Sequence, residues 1–349
     1  MSEARAVQAS NSIEGYDASL DDVIAIHDDD EPLDADTETR LALDGYQEAM
    51  TYVLQATRDP DLAVDEGLLR ALHFMMLKHA LSRNPGRWRP GAIHVARSDT
   101  GEIVYHGPDA ELVPGLLTSM LRELGSSDAP TIVKAAMAHL NLVMIHPFSD
   151  GNGRMARCLQ TLVLAPDQIV APVFSSIEEY LGRNTPAYYD VLAAVGQGSW
   201  HPDNDARPWV RFCLTAHYRQ AQTFVRRAEA FEEMWSRAMA IAQEYRLPER
   251  TVGPIAEAAY GLRIRRATYL RNVEITWGEP IAALTASRDL RALVQVGLFR
   301  PIGETRGRHY VAAEPLTAEW QTIRSKWPRR EEDDPFAIAA ARAQLSLDV

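Results

Sequence analysis

Apolar positions along most of this chain recur at helical spacing. Residues 38–57 place Leu41, Leu43, Tyr46, Met50, Val53 and Leu54 on such a pattern, which predicts an amphipathic helix. Residues 63–82 (AVDEGLLRALHFMMLKHALS) predict another, stopped by Asn84-Pro85-Gly86. Residues 131–145 are apolar nearly all round, as expected of a central helix. Further helices are expected at about 4–16, 110–124 and 153–164, and one or two long ones over 205–247, with Pro248 as a break. Three stretches depart from this period. Residues 17–37 are acidic with one small apolar island and predict a solvated, loosely ordered connection. Residues 87–106 carry β-branched runs at 93–95 and 103–105 around Asp99-Thr100-Gly101, which predicts a hairpin. Residues 250–313 read as three helices followed by two short strands. No internal repeat is present.

A chain of 349 residues exceeds one core of common size, so two or three units are expected. No apolar run approaches the length of a membrane span, and residues 1–15 lack the basic and apolar regions of a secretory signal. Cys158 and Cys213 suggest neither a disulfide framework nor a zinc site, and read as two packed thiols. A cytoplasmic protein without a membrane partner is the expectation. The net charge of −12 argues against a nucleic-acid coat, but the charge is uneven. Ten acidic side chains fall between Asp17 and Glu38, whereas residues 251–312 hold nine arginines against five acids, a net of +4.

Candidate chemistry concentrates in residues 146–157, HPFSDGNGRMAR. Pro147 cannot continue the preceding helix, and Gly151 and Gly153 allow torsions that other residues resist. A new helix begins near Gly153. Successive backbone N–H groups in such a loop, with the helix N-terminus behind them, make a nest for an anion. Arg154 and Arg157 share one face of that helix, and their guanidinium forks match phosphate oxygens. Asp150 at the rim is placed to hold Mg²⁺ beside phosphates. His146 is the natural base for a hydroxyl nucleophile. A base, a metal ligand, an anion nest and two arginines suit phosphoryl or nucleotidyl transfer.

The stretch matches in full the signature His-Pro-Phe-x-Asp/Glu-Gly-Asn-Gly-Arg-x-x-Arg, and so resembles the Fic family. The resemblance implies a mainly α fold, a Fic-type helical domain with a β-hairpin flap, and transfer of AMP from ATP to a hydroxyl side chain of a target protein. By that resemblance His146 deprotonates the hydroxyl, and Asp150 holds Mg²⁺ between the α- and β-phosphates. Gly151, Asn152 and Gly153 bind phosphate oxygens, Arg154 and Arg157 bind the β/γ end, and Phe148 anchors the loop. GRWRPGAIHV resembles the segment leading to the flap and GEIVYHGPDAELVP the flap itself, with Ile103, Val104, Tyr105 and His106 as target-binding residues. The reading that the hairpin only covers the pocket stays open. Tyr188, Tyr189 and Leu192 resemble the family's helix beside the adenine, although packing in the core is the stronger reading for the two tyrosines. An Asn found further along that helix in some members is replaced here by the Val195-Gly196-Gln197-Gly198 neighbourhood. Residues 10–15, SNSIEG, fit the family's inhibitory pattern. By resemblance Glu14 then pairs with Arg157 where the γ-phosphate belongs, and Ser10 helps to fix the helix.

The domain reading is 1–37 inhibitory helix and acidic connection, 38–218 Fic domain, 219–249 linker helix, 250–313 a small winged-helix (α+β) domain, and 314–349 a helical, charged tail. In the winged-helix reading a recognition helix starts at Thr285 or Ser287. Arg288 and Arg291 on that helix, with Arg306 and Arg308 in the wing, permit contact with DNA, and docking to protein is an equal alternative. A homodimer is compatible with the resemblance. Three functions stay open: AMP transfer under autoinhibition, the reverse hydrolysis with Glu14 orienting water, and a nucleotide-sensing DNA-binding regulator.

Overall fold

The computed structural model describes residues 2–28, 30–59, 61–97, 100–167, 176–304, 307–327 and 335–336. The chain is mainly helical and divides into two compact units between Ala221 and Gln222, a boundary that falls within one long helix, Arg207–Glu244.

In the first unit α1 (Ser2–Ile13) and α2 (Leu20–His27) precede α3 (Thr37–Ala56) and α4 (Glu66–Leu77). Carboxylates set two of the starts: Asp36 accepts from the Thr39 amide and Asp65 from the Leu68 amide. A 3₁₀ turn, Leu81–Arg83, leads to an antiparallel hairpin of β1 (His94–Ala96) and β2 (Ile103–His106). Its register pairs Val95 with Tyr105 and shifts by a bulge before Ala96. Asp99 of the expected turn lies outside the described residues. Then come α5 (Val113–Ser126), α6 (Thr131–Ile145), α7 (Asn152–Leu164), α8 (Glu178–Arg183), α9 (Thr185–Gly196) and α10 (Arg207–Glu244). One core joins Leu43 and Tyr46 of α3, Leu69, Leu72 and Met76 of α4, Leu142 and Ile145 of α6, and Met155 and Leu159 of α7. A second joins Tyr105, Leu140, Met144, Leu181, Tyr188, Leu192 and Trp209. The helix α6 serves both, which explains why it is apolar nearly all round.

One expectation needs correction here. Residues 17–37 are not simply a loose connection: the apolar island forms α2 and buries Val23 and Ile26 in the first core. The acidity that suggested solvation is partly structural. Buried Asp22 accepts from the backbone amides of Leu33 at 2.7 Å, Asp34 at 3.1 Å and Ala35 at 3.1 Å, so it folds its own segment back. The 205–247 stretch, expected as one or two helices, is one.

The second unit contains the rest of α10, then α11 (Val252–Ala259), α12 (Arg266–Trp277), α13 (Ala283–Gln295), β3 (Phe299–Ile302) paired antiparallel with β4 (His309–Ala312), and α14 (Glu314–Lys326). Its core gathers Met234, Ile241, Ile255, Tyr269, Leu290, Leu293, Phe299 and Leu316. Buried Asp289 receives both Nε (2.7 Å) and Nη2 (3.0 Å) of Arg250 and the hydroxyl of Tyr269 (2.9 Å), which ties α13 to α12 and to the turn before α11. The expected start of α13 at Thr285 or Ser287 is corrected to Ala283. Ser287 lies inside the helix and its hydroxyl donates back to the Ala283 carbonyl at 2.9 Å. Arg288, Arg291 and Arg308 are exposed, while Arg306 and most of the tail beyond Trp327 lie outside the described residues.

Candidate functional site

The site is built where α6 stops and α7 starts. Pro147 has no N–H to extend α6 and disfavours a right-handed helical His146. His146 takes a left-handed conformation (φ 51°, ψ 60°), with its N–H still bonded to the Leu142 carbonyl at 2.9 Å. For a residue with a side chain this is a strained state, of order 1–3 kcal/mol, maintained by its surroundings. The imidazole donates from Nδ1 to the Val143 carbonyl (3.1 Å), which leaves Nε2 as the nitrogen able to take a proton. Burial pushes the pKa of His146 below its ordinary value, so at neutral pH the ring is uncharged, the form that can accept a proton.

The loop that follows is locked from within. The Asn152 side chain accepts from the Phe148 amide and donates to the Phe148 carbonyl, both at 2.9 Å. Phe148 is fully buried and stacks on His73 with ring centroids 3.6 Å apart and 6° between planes. His73 accepts at Nδ1 from the Gly86 amide and donates from Nε2 to the Asp150 carbonyl, each at 2.9 Å, and burial lowers its pKa to about 4. Gly151 is left-handed (φ 74°), and a Cβ there would run into Leu77. The amides of the first turn of α7 have no intrahelical acceptor. Beside them, Nε and Nη1 of Arg154 and Nη1 of Arg157 are buried donors without a protein partner. Orphaned cationic donors next to a helix N-terminus fit an anion of several oxygens.

The N-terminal helix reaches this anion seat. Arg157, fully buried, donates from Nε to the Ser10 hydroxyl (2.7 Å), and from Nη2 to the Ser10 carbonyl (2.9 Å) and to Glu14 Oε1 (2.7 Å). Glu14 stands directly over Gly153, where a Cβ would collide with its carboxylate. Burial acts against the charge of Arg157, yet Glu14, Tyr188 and Tyr46 together outweigh it and keep the guanidinium protonated. Tyr16 covers Arg154, whose guanidinium carbon lies 5.3 Å from the ring centroid.

Asp150 accepts from its neighbour's amide, Gly151, at 2.7 Å, and from Nη1 of Arg83 at 2.6 Å. That same nitrogen donates to the Tyr16 hydroxyl at 3.0 Å. Burial raises the Asp150 pKa, but Arg83, the Gly151 amide and Arg154 outweigh it and leave the carboxyl below its ordinary value, hence ionised. Among the described residues no cluster of three or more His, Cys, Asp or Glu could hold a metal alone. A single ionised carboxylate beside the anion seat fits Mg²⁺ bound mainly through phosphate and water oxygens.

The structure brings Ser10, Glu14, His146, Asp150, Gly151, Asn152, Gly153, Arg154 and Arg157 to one place. It separates other expected residues. The Asn152 carboxamide spends its oxygen and one of its two N–H donors on Phe148, so its first role is to lock the loop. Tyr188 is buried with its hydroxyl on His139 Nε2 (3.0 Å), and Leu192 is buried as well, so neither presents a face to a base; Tyr189 alone is exposed. In the hairpin Ile103 and His106 are exposed and Val104 half-buried, but Tyr105 is buried with its hydroxyl on the Met144 carbonyl (2.7 Å), an anchor rather than a target contact. Sequence reasoning missed Tyr16, His73, Arg83 and Arg89. Only His73 had a local signal, a polar residue on the apolar face made by Leu69, Leu72 and Met76.

Residues 63–164 match the Fic/DOC family. Curated relatives include a protein adenylyltransferase Fic of Drosophila yakuba, 32% identical over 188 residues, which is 50% of this chain and 34% of that protein. One of Nematostella vectensis is 28% identical over 230 residues, 62% of this chain and 47% of that protein. The chain thus spans between a third and a half of these relatives. Among solved structures, a Fic family protein from Desulfovibrio desulfuricans G20 superimposes with a TM-score of 0.55 at 22% identity, covering 90% of this chain and 86% of its own. Fic-1 from C. elegans gives a TM-score of 0.50 at 22% identity over 63% of this chain and 61% of its own.

Proposed function

We propose that this chain, which carries a Fic domain, is an autoinhibited protein adenylyltransferase. It transfers AMP from ATP to a hydroxyl side chain of a target protein and to itself. The observation that carries the reading is the contact of Glu14 with Arg157 over Gly153: a carboxylate occupies the seat that orphaned arginine donors and helix amides make for phosphate. Neutral His146 takes the proton of the target hydroxyl at Nε2 as that oxygen attacks the α-phosphorus and pyrophosphate leaves. Arg154, the α7 amides and a released Arg157 hold the phosphates. Asp150 would hold Mg²⁺, which supplies charge neutralisation on the phosphates when bound. Exposed Ile103, on the part of β2 before His106 pairs with the Gly198 carbonyl, offers the target a strand edge. Three helices followed by an antiparallel hairpin, with exposed Arg288, Arg291, Arg300 and Arg308, support reading the second unit as a winged helix with a basic face.

The test is label transfer from α-labelled ATP, to the protein itself and in a cell lysate, with the full chain, Glu14→Gly, and Glu14→Gly combined with His146→Ala. Glu14→Gly should label strongly. Adding His146→Ala should cost about 10²–10⁴-fold while ATP still binds, because the base acts on the target hydroxyl. Silence of Glu14→Gly, or equal labelling without His146, would defeat the proposal.

A further inference from the structure

Arg89 is 4% exposed and lies between the 3₁₀ turn and β1. Its backbone amide donates to the Pro147 carbonyl at 2.9 Å. Its guanidinium donates from Nε to the His146 carbonyl at 2.8 Å, from Nη1 to the Gly91 carbonyl at 2.5 Å, and from Nη2 to the Pro108 carbonyl. One side chain therefore ties the strained peptide of His146 to the chain just before β1 and just after β2. Gly107 closes the same joint: its amide donates to the Ile93 carbonyl at 3.1 Å, and a Cβ there would strike Ile93 and come within 3.5 Å of Arg89 Nη2 and 3.8 Å of His146 Cβ.

We infer that Arg89 is a positioning residue that couples the two ends of the flap to the backbone of His146, so that seating a target segment on the hairpin also seats the base. The inference rests on the reading of His146 as the base. The chemistry of the side chain supports it. Only a planar fork with five donors reaches three divergent carbonyls at once; a lysine ammonium is a point on a flexible stem. A buried cation surrounded by carbonyls is costly unless each bond is made, so the arrangement is geometrically demanding. The charged groups around His146 are Arg89, which disfavours the imidazolium, and Glu14 and Asp150, which favour it. A merely structural Arg89 would stabilise the fold without linking the flap and the histidine.

The experiment compares Arg89→Ala, Arg89→Lys and Gly107→Ala in the full chain carrying Glu14→Gly, by hydrogen exchange and by self-labelling at saturating ATP. In Arg89→Ala the amides of His106, Gly107 and His146 should exchange faster together while those of α3 keep their protection. Self-labelling should fall by about 10²-fold, the cost expected of a small misplacement, with ATP affinity within about twofold. Arg89→Lys should fall between. Gly107→Ala leaves the arginine in place but wedges the flap away, so it should reproduce both effects even where Arg89→Ala fails to fold. Faster exchange in the flap with an unchanged His146 amide, or unchanged labelling in all three variants of an active parent, overturns the inference. The exchange result decides the coupling even where the parent transfers no label, which separates failure of the coupling from failure of the transferase reading.

Discussion

Glu14 Oε1 sits 2.7 Å from Nη2 of Arg157, a residue 143 positions later in the chain. The pair is unequal: the arginine side chain is 0% exposed and the glutamate 23%. Arg157 therefore belongs to the core of the site, and Glu14 is the removable partner. A γ-phosphate placed on Arg157 would meet the Glu14 carboxylate at about 4 Å, and like charges at that distance in a partly buried site repel by a few kcal/mol. Glu14→Gly should raise self-labelling by 10-fold or more, on the order expected for such a barrier, and Glu14→Asp should give a smaller gain. Arg157→Ala should not activate, because it removes the phosphate ligand with the inhibitor's anchor. Labelling rates at saturating ATP decide this, and an inactive Glu14→Gly with intact His146 and Arg157 would sink it.

Ser10 contributes more than a helix position, because its hydroxyl accepts from Arg157 Nε. Ser10→Ala leaves that buried donor unpaired, at a cost of roughly 1–3 kcal/mol to the docked state of α1. The expected result is partial activation of the otherwise wild-type chain, at least about fivefold and below that of Glu14→Gly. In the Glu14→Gly background the same change should add little. Equal additive gains in both backgrounds would show that Ser10 does not act through α1 docking.

Arg83 holds Asp150, the carboxylate proposed for Mg²⁺, and also holds Tyr16, just beyond α1. Arg83→Ala should free Asp150 and lower the Mg²⁺ concentration for half-maximal labelling severalfold, since both groups are about a third exposed and the pair is partly screened. Asp150→Ala should raise it about tenfold or more. A Mg²⁺ titration of both variants in the Glu14→Gly chain checks the opposite signs. Identical curves would mean that the metal is held elsewhere.

What the sequence disclosed tracks how local each feature is. The loop from His146 to Arg157 is contiguous, so its residue types and the helix break at Pro147 could be read together. The helices of the first unit were legible because their apolar faces repeat. Glu14 was legible only through resemblance, since no local rule links it to Arg157. Arg83 and Arg89 were invisible for a different reason. Each is one arginine in an irregular segment, and its role depends on carbonyls and carboxylates that arrive from other parts of the chain. Asn152 and Tyr105 looked like ligand or target contacts, but the Tyr105 hydroxyl and most of the Asn152 carboxamide are engaged inside the protein, a fact that side-chain chemistry alone does not disclose. The helix α2 was hidden by the acidity around it, which Asp22 turns inward.

Glu178 carries the last prediction. Its carboxyl is buried on α8, against which α1 packs, and it borders a small cavity with Ala6 and Val7 of α1. Oε1 accepts from the Tyr46 hydroxyl at 2.7 Å, while Oε2 is buried without a partner. Burial raises its pKa to about 7, with Tyr46 and Arg157 pulling the other way. Because the folded value lies above the ordinary value of 4.5, the folded state prefers the protonated acid. Its contribution is therefore fully present below about pH 4.5 and lost as pH rises through about 7, a difference of about 3 kcal/mol. Glu178→Gln keeps an acceptor for Tyr46 and cannot ionise. It should be more stable than wild type at pH 8, and the two should converge toward pH 5, as measured by urea midpoints. Since the group lies beneath α1, self-labelling of the chain with Glu14 intact should also rise between pH 6 and 8 relative to Glu14→Gly, and Glu178→Gln should flatten that rise. Urea midpoints that differ by a constant amount from pH 5 to 8 would remove Glu178 as the titrating group.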